Sequence, residues 1–178
     1  MATYIGFLRA INLGANRKFP KASIIKAVEA AGFTDVATYI NTGNVRFDTT
    51  LRSRAKIEAA LEEAFRAEAG FEVPTMVFTQ KELREIADHA TSLSDSLGHS
   101  GRHYISLCKD VPTPAAIKRL EDSITTDEVA KVGGRAVHLL LGGEYHEARL
   151  TNAAVEKYLG VATNRNLTVI KALAEKWT

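Results

Sequence analysis

The spacing of apolar and polar residues in the first half of the chain changes repeatedly between a strand period and a helix period. Thr3–Arg9 has apolar residues on both alternating faces, which predicts an interior strand. Residues 24–31 then have apolar side chains at helical spacing, and Pro20 and Gly32 are typical of the start and end of such a helix. The chain therefore opens with a strand, a long polar connection and a helix.

Two short strands follow, at residues 36–40 and 45–48, and the Asn and Gly residues between them suit a hairpin turn. A helix is predicted over residues 52–69, where Gly70 ends the apolar stripe. Residues 73–78 form the fourth strand. Pro74 has no backbone donor, which places this strand at a sheet edge.

The resulting order is the split βαβ pattern of ferredoxin-like folds, and we assign it to residues 1–79. In this topology strands one and two are parallel, with strand three antiparallel between them. The end of strand one and the turn between strands two and three then lie at the same end of the sheet. We therefore expect residues 9–18 and 41–44 to converge.

The second half repeats this order with one expected difference. Thr79 and Glu82 form a capping box, so residues 80–101 are assigned to a helix and a linker. Residues 102–178 are predicted as a strand, a helix, a hairpin and a further helix, with a helical segment from Asn166 to Trp177 where a fourth strand was due. The fold class is α+β, with two ferredoxin-like units, the second a variant ending in C-terminal helices.

Composition narrows the class of protein without identifying its activity. The chain has 178 residues, of which 46% are hydrophobic and 25% charged, as in ordinary globular proteins. Its net charge of +2 is too small to indicate nucleic-acid binding by itself. A single cysteine, Cys108, cannot form an internal disulfide, and neither a signal sequence nor a membrane-spanning apolar run is evident. We expect a cytoplasmic protein with no membrane partner.

The polar connection after the first strand is longer than a plain turn requires and is rich in Asn, Gly and basic residues. Together with the hairpin turn it offers donors of the kind that hold phosphate or carboxylate oxygens. Equally, Asn and Thr side chains could bond neighbouring backbone groups and only shape the two loops. The ligand-binding candidates here are Arg9, Asn12, Gly14, Lys18, Asn41, Thr42, Gly43 and Asn44.

A second set of candidates lies at predicted helix starts in the second half. Arg149 and Asn152 precede one helix and Arg165 precedes the last, and free amides at helix starts suit anions. Ordinary N-capping explains the neighbouring Thr and Asn residues equally well.

Several kinds of site lack their sequence signals. The five histidines do not have metal-ligand spacing, and the usual nucleotide-binding glycine motifs are absent, so no metal or cofactor is expected. The outward face of strand three carries Asn44, Arg46 and Asp48 in place of the aromatic residues that stack RNA bases. A nucleic-acid backbone could still bind through its phosphates.

Several motifs resemble those of a bacterial family catalogued only as domain of unknown function 1697. That family's L-R-G-I-N-V-G-G and N-K-V-P are similar to residues 8–15 and 18–20, with alanine at positions 10 and 15. Its T-Y-I-x-S-G-N-V-x-F is similar to residues 38–47, and its S-K-L-[ST]-N and T-R-N-W to residues 148–152 and 164–167, which lack the serine and the aromatic residue. The resemblance implies two ferredoxin-like units and no particular activity.

The leading hypothesis is a binding protein whose loop site takes an anionic, phosphate-bearing small ligand or a nucleic-acid backbone. An enzyme of phosphoryl or acyl transfer could use the same donors to stabilise developing negative charge, although no residue stands out as its base. A protein-interaction module is the third hypothesis. Sequence alone leaves the ligand and the oligomeric state open.

Overall fold

The computed structural model describes residues 1–99 and 101–178. The chain folds into two compact units, one formed mainly by residues 1–82 and the other mainly by residues 83–176.

The first unit contains a four-stranded antiparallel sheet. Its strands are β1 (Ala2–Leu8), β2 (Thr34–Thr38), β3 (Asn44–Thr49) and β4 (Thr75–Thr79), in the spatial order β2-β3-β1-β4. The predictions for β1 and β4 are confirmed, since β1 lies inside the sheet with both faces buried and β4 lies at an edge.

Helices α1 (Lys21–Ala30) and α2 (Arg54–Ala69) pack on this sheet and bury its main core. The hydroxyl of Ser53 accepts the Lys56 amide at the start of α2, and Gly70 ends that helix in the left-handed conformation with φ +80°. Several large core side chains are fully or almost fully buried: Leu8, Phe19, Ile24, Phe47, Leu61 and Phe65.

The second unit has the same chain order and sheet topology. Its elements are β5 (Arg102–Cys108), α4 (Pro114–Asp122), β6 (Val129–Gly133), β7 (Ala136–Leu141), a short 3-10 helix (Tyr145–Glu147), α5 (Asn152–Leu159) and β8 (Ala162–Asn166). The strand order is β6-β7-β5-β8, with every neighbouring pair antiparallel.

A fourth strand is therefore present in the second unit, which the sequence interpretation missed. β8 reads Ala-Thr-Asn-Arg-Asn and has one apolar residue, so no period of two is visible in it. The segment is a strand because it pairs with β5. The register places Ala162 opposite Cys108 and Asn166 opposite Tyr104. Tertiary pairing outweighs the local pattern here.

An additional helix follows the last strand of each sheet. α3 (Gln80–Ser96) begins with the predicted capping box: Thr79 Oγ1 accepts the Glu82 amide at 3.1 Å and Glu82 accepts the Thr79 amide at 2.7 Å. The helix takes up most of residues 80–101, the range assigned to a helix and a linker, because it continues to Ser96. α6 (Leu167–Trp177) forms as predicted, capped by Asn166. Among the described residues, no helix combines the length and the apolar character needed to span a membrane.

Candidate functional site

Two loops of the first unit meet at the end of β1. The Leu8 amide donates to the Gly43 carbonyl at 2.8 Å, and the Asn12 side chain donates to the Asn41 carbonyl at 2.7 Å. The first loop connects β1 to α1 and the second connects β2 to β3. The predicted convergence of these loops is confirmed, because the sheet topology brings their strand ends together.

Asn12 uses its side-chain amide to hold both loops. Its Nδ2 donates to the Phe19 carbonyl at 3.1 Å as well as to Asn41, and its Oδ1 accepts the Phe19 amide at 2.7 Å. A side-chain amide has two N–H donors, so both are committed within the protein. These bonds favour the architectural interpretation for Asn12, in which its side chain orders the two loops.

Gly43 and Asn44 shape the hairpin turn. Gly43 has φ +87°, and a Cβ placed on it would lie 2.7 Å from the Leu8 Cβ, so only glycine allows this approach. Asn44 is 1% exposed, and its Nδ2 donates to the Tyr39 carbonyl at 3.0 Å and to Thr42 Oγ1 at 2.9 Å. Both residues are part of the support of the loops.

Arg17 anchors the opposite side of the first loop, a role that the candidate list did not include. Its Nε donates to the Ala10 carbonyl and its Nη2 to the Glu72 carbonyl at 2.6 Å. The guanidinium carbon also lies 4.4 Å from the centroid of the Phe71 ring. The loop is thereby attached to the segment between α2 and β4. Only the basic character of the loop pointed to Arg17 in the sequence.

Backbone strain is concentrated in these loops. Five described residues other than glycine have positive φ, and four of them lie here: Ala10 at 62°, Asn12 at 54°, Arg17 at 53° and Ile40 at 50°. Such conformations cost about 1 kcal/mol or more each and occur preferentially at functional sites. The anchoring bonds described above hold the loops in this costly conformation.

Polar groups on the joined loops remain at the surface. Lys18, Asn41 and Thr42 are exposed and Arg9 is half-buried. Gly14 is exposed with φ +59°, in a tight turn that the Asn16 amide closes on the Leu13 carbonyl at 3.1 Å. Residues 9–20 and 39–43 contain three basic side chains and no Asp, Glu, His or Cys. The loops can attract an anion and provide hydrogen-bond donors, but they contain no carboxylate, imidazole or thiol to act as a base.

The second unit offers an internal comparison for these loops. In the second unit the Cys108 amide donates to the Arg135 carbonyl at 2.7 Å, and the Lys109 amide donates to the Val161 carbonyl at 2.9 Å. The first unit has the equivalent bonds, from the Leu8 amide to the Gly43 carbonyl and from the Arg9 amide to the Pro74 carbonyl. The connection after the central strand has five residues, 109–113, in the second unit and twelve, 9–20, in the first. The hairpin connection has two residues, 134–135, against five, 39–43. Both loops are therefore extended only in the first unit.

The candidates in the second unit are less suited to an anion. Asn152 accepts the Ser106 hydroxyl at 2.8 Å and donates to the Ala162 carbonyl at 2.9 Å, so its side chain joins α5 to β5 and β8. Arg165 is 6% exposed, with Nη1 bonded to Thr163 and to the Asn164 carbonyl, and burial lowers its pKa to about 10. The structure therefore supports packing roles for both, while Thr151 and Asn166 cap the two helices.

Arg149 is exposed but lies among carboxylates. It lines a pocket of about 360 Å³ with four acidic residues, which would repel an anionic ligand. One of them, Glu128, accepts the Arg149 and Leu150 amides at 3.3 and 3.2 Å. The acidic lining residues are Asp127, Glu128, Glu144 and Glu147. No group of three or more His, Cys, Asp or Glu in the described part of the chain is arranged to hold a metal ion.

Comparison with known proteins agrees with the fold and leaves the activity open. The sequence profile of a family described as protein of unknown function (DUF1697) matches residues 1–138. A solved structure of a conserved bacterial protein from Streptococcus pneumoniae is similar, with 20% identity and a TM-score of 0.76 over 99% of this chain and 98% of that one. No curated protein matches. At this identity the likeness concerns the fold alone.

Proposed function

Since this chain belongs to the DUF1697 family of proteins of unknown function, we propose its function from its own residues: it binds phosphate oxygens at the two joined loops. The loop site comprises residues 9–20 and 39–43, together with Asn44 at the start of β3. The phosphate would belong to a small ligand or to a nucleic-acid backbone. A cytoplasmic location, expected from the lone Cys108, is part of this proposal.

The observation that carries the proposal is the difference between the two units. The same strand ends are connected in the second unit by five and two residues, so the fold itself does not require the longer loops of the first. Twelve and five residues in strained, anchored conformations cost conformational entropy and backbone strain that a plain connection avoids. Ligand binding would explain why the first unit has these longer loops.

The charges of the loops favour an anion. Arg9, Arg17 and Lys18 are basic, Lys21 follows at the start of α1, and no acidic side chain lies in either loop. Asn41 and Thr42 add an exposed amide and hydroxyl to the surface. We assign direct contacts to Arg9, Lys18, Asn41 and Thr42, while Asn12, Gly43 and Asn44 keep the loops in place.

The absence of a carboxylate, imidazole or thiol from residues 9–20 and 39–43 favours binding over phosphoryl or acyl transfer. Donors alone can hold an anion, whereas group transfer at neutral pH usually needs a proton acceptor next to the reacting atom.

The test is a thermal-shift and titration series on the full chain with pyrophosphate, mononucleotides, and short RNA and DNA oligonucleotides. A ligand at 100 times its dissociation constant should stabilise the protein by about 2.7 kcal/mol, a shift of several degrees for this size. Arg9→Gln and Lys18→Gln should each weaken binding about tenfold. Lys109→Gln is the matched control for Arg9→Gln, because Lys109 follows the equivalent strand of the second unit.

Stronger binding of oligonucleotides than of mononucleotides, with a steep salt dependence, would identify a nucleic-acid backbone. Equal binding of both would identify a small phosphate-bearing ligand. If no phosphate compound shifts the wild-type protein, or if Lys109→Gln weakens binding as much as Arg9→Gln, the assignment of the site is wrong.

A further inference from the structure

Three histidine side chains lie between α3 and the sheet of the second unit. His103 Nε2 and His138 Nδ1 are 3.2 Å apart, and Ser94 Oγ lies 3.1 Å from His103 Nδ1. The His89 ring is in edge contact with the His138 ring, with centroids 4.7 Å apart. Ser94, His103 and His138 thus form a continuous hydrogen-bonded chain, from α3 through β5 to β7.

The two rings of this hydrogen-bonded chain are buried, and its inner end has no partner among the residues that the structure describes. His138 is 0% exposed and His103 is 6% exposed. His138 Nε2 has no hydrogen-bond partner among the described residues. If Ser94 donates to His103 and His103 donates to His138, Nε2 of His138 carries a buried N–H. If His138 donates to His103 and His103 donates to Ser94, Nε2 of His138 is a buried lone pair. Both arrangements require two neutral rings.

In the described part of the chain, the groups with the largest electrostatic effects on the two rings are basic. His89 of α3 faces both rings, and His99 and Lys171 disfavour a positive charge on His103. On the sheet, Lys131 is paired directly with His138, and Arg165 is paired with Ile105, the other neighbour of His138. The acidic residues in the middle and last turns of α3 are exposed: Glu85, Asp88 and Asp95.

Protonation of this hydrogen-bonded chain is unfavourable in the folded state. A first proton lets His103 donate to both Ser94 and His138, but it creates a buried positive charge among basic neighbours. A second proton places an N–H on both His103 Nε2 and His138 Nδ1, so no acceptor remains and the hydrogen bond between the two rings is lost. When α3 separates from the sheet, water can solvate both charges.

We propose that the chain Ser94–His103–His138 is an acid-sensitive latch, which holds the C-terminal half of α3 on the second sheet and opens when both rings take up protons. The pKa values agree with this geometry. Burial, with the neighbouring histidines and Lys171 adding to it, lowers the pKa of His103 to about 4, and burial with His103 and His89 lowers that of His138 to about 3.

Hydrogen exchange on the full chain, corrected for the intrinsic rate at each pH, tests the latch. Two rings that titrate at their ordinary pKa of about 6.5 in the open state should raise the opening constant about a thousandfold between pH 7.5 and 5.0. We expect this loss of protection in residues 89–99, β5 and β7, while β1 and α1 of the first unit keep theirs.

His138→Gln removes one titrating ring and should reduce the change to about thirtyfold. His146→Gln, at an exposed histidine of the same unit, is the matched control and should leave the thousandfold change intact. Equal pH dependence in the wild type and in His138→Gln, or equal loss of protection in the first unit, would overturn the proposal. Should His138→Gln not fold, the ring resonances of the wild type decide: titration of His103 or His138 above pH 6 would refute the latch.

Discussion

The side chain of Asn12 and the carbonyl of Asn41 are joined by a hydrogen bond of 2.7 Å that links the loop after β1 to the hairpin turn between β2 and β3. The same amide group also binds both backbone groups of Phe19, whose ring is buried in the core. One side chain thereby couples the proposed site to the packing beneath it.

Replacement of Asn12 by Ala should destabilise the protein by about 2–3 kcal/mol. Three hydrogen bonds are lost, at about 1 kcal/mol each, and Ala takes over a positive φ. Urea unfolding of the variant measures this loss. Asn16→Ala, at an exposed position of the same loop, is the control and should change the free energy of unfolding by less than about 0.5 kcal/mol. Equal effects of the two substitutions would contradict the role given to Asn12.

Two glycines with the same backbone angle allow the close approach at the hairpin turn to be measured. Gly43 and Gly32 both have φ +87°, but a Cβ on Gly43 would meet Leu8 at 2.7 Å, whereas Gly32 has nothing within 4 Å. Gly32→Ala should cost about 1 kcal/mol, from backbone strain alone. Gly43→Ala should cost at least about 2 kcal/mol more, because the hairpin turn must move away from the end of β1. Similar thermal unfolding of the two variants would show that the close approach is unimportant.

Ile40 is a β-branched residue with φ +50° in the hairpin turn, and its side chain is exposed. Ile40→Asn should raise the free energy of unfolding by about 1 kcal/mol, because Asn adopts this conformation more readily. Val111→Asn, at an exposed position without a positive φ, should have little effect. A destabilised Ile40→Asn protein would mean that the apolar side chain stabilises the turn more than the strain costs.

Stability should fall as the pH decreases from 7 to 5. His103 and His138 have pKa values lowered to about 4 and 3 in the folded state, so near pH 6 the unfolded chain binds more protons than the folded one. Each ring should therefore remove about 2 kcal/mol of stability between pH 7 and 5. Denaturant unfolding across this range measures the slope. His138→Gln should reduce the slope by about half, and an unchanged slope would assign the effect to other groups.

Much of the first unit could be predicted from local patterns. The interior position of β1 follows from apolar residues on both its faces, and the edge position of β4 follows from Pro74. The capping box at Thr79 and Glu82 correctly predicted the start of α3. These features depend on neighbours in the chain or on a single backbone rule.

β8 and the end of α3 could not be predicted in the same way. The segment 162–166 has no strand pattern of its own and is ordered by its pairing with β5. Residues 91–96 are polar except for Leu93, and they continue a helix that holds Ser94 against His103. The contacts that stabilise β8 come from β5, which is distant in sequence. Those that stabilise the end of α3 come from His103, which lies beyond the loop that follows the helix.

The sequence by itself determined the fold class, the family and the convergence of the two polar loops, because periodicity, turn residues and right-handed connections restrict the topology. Only the tertiary structure decided which polar residues are supports and which are exposed. Asn12, Asn44 and Asn152 resemble ligand-binding residues in the sequence, yet their amides are bonded within the protein. The same side chain can bind a ligand or a carbonyl, and only the folded chain shows which carbonyls come within hydrogen-bonding distance.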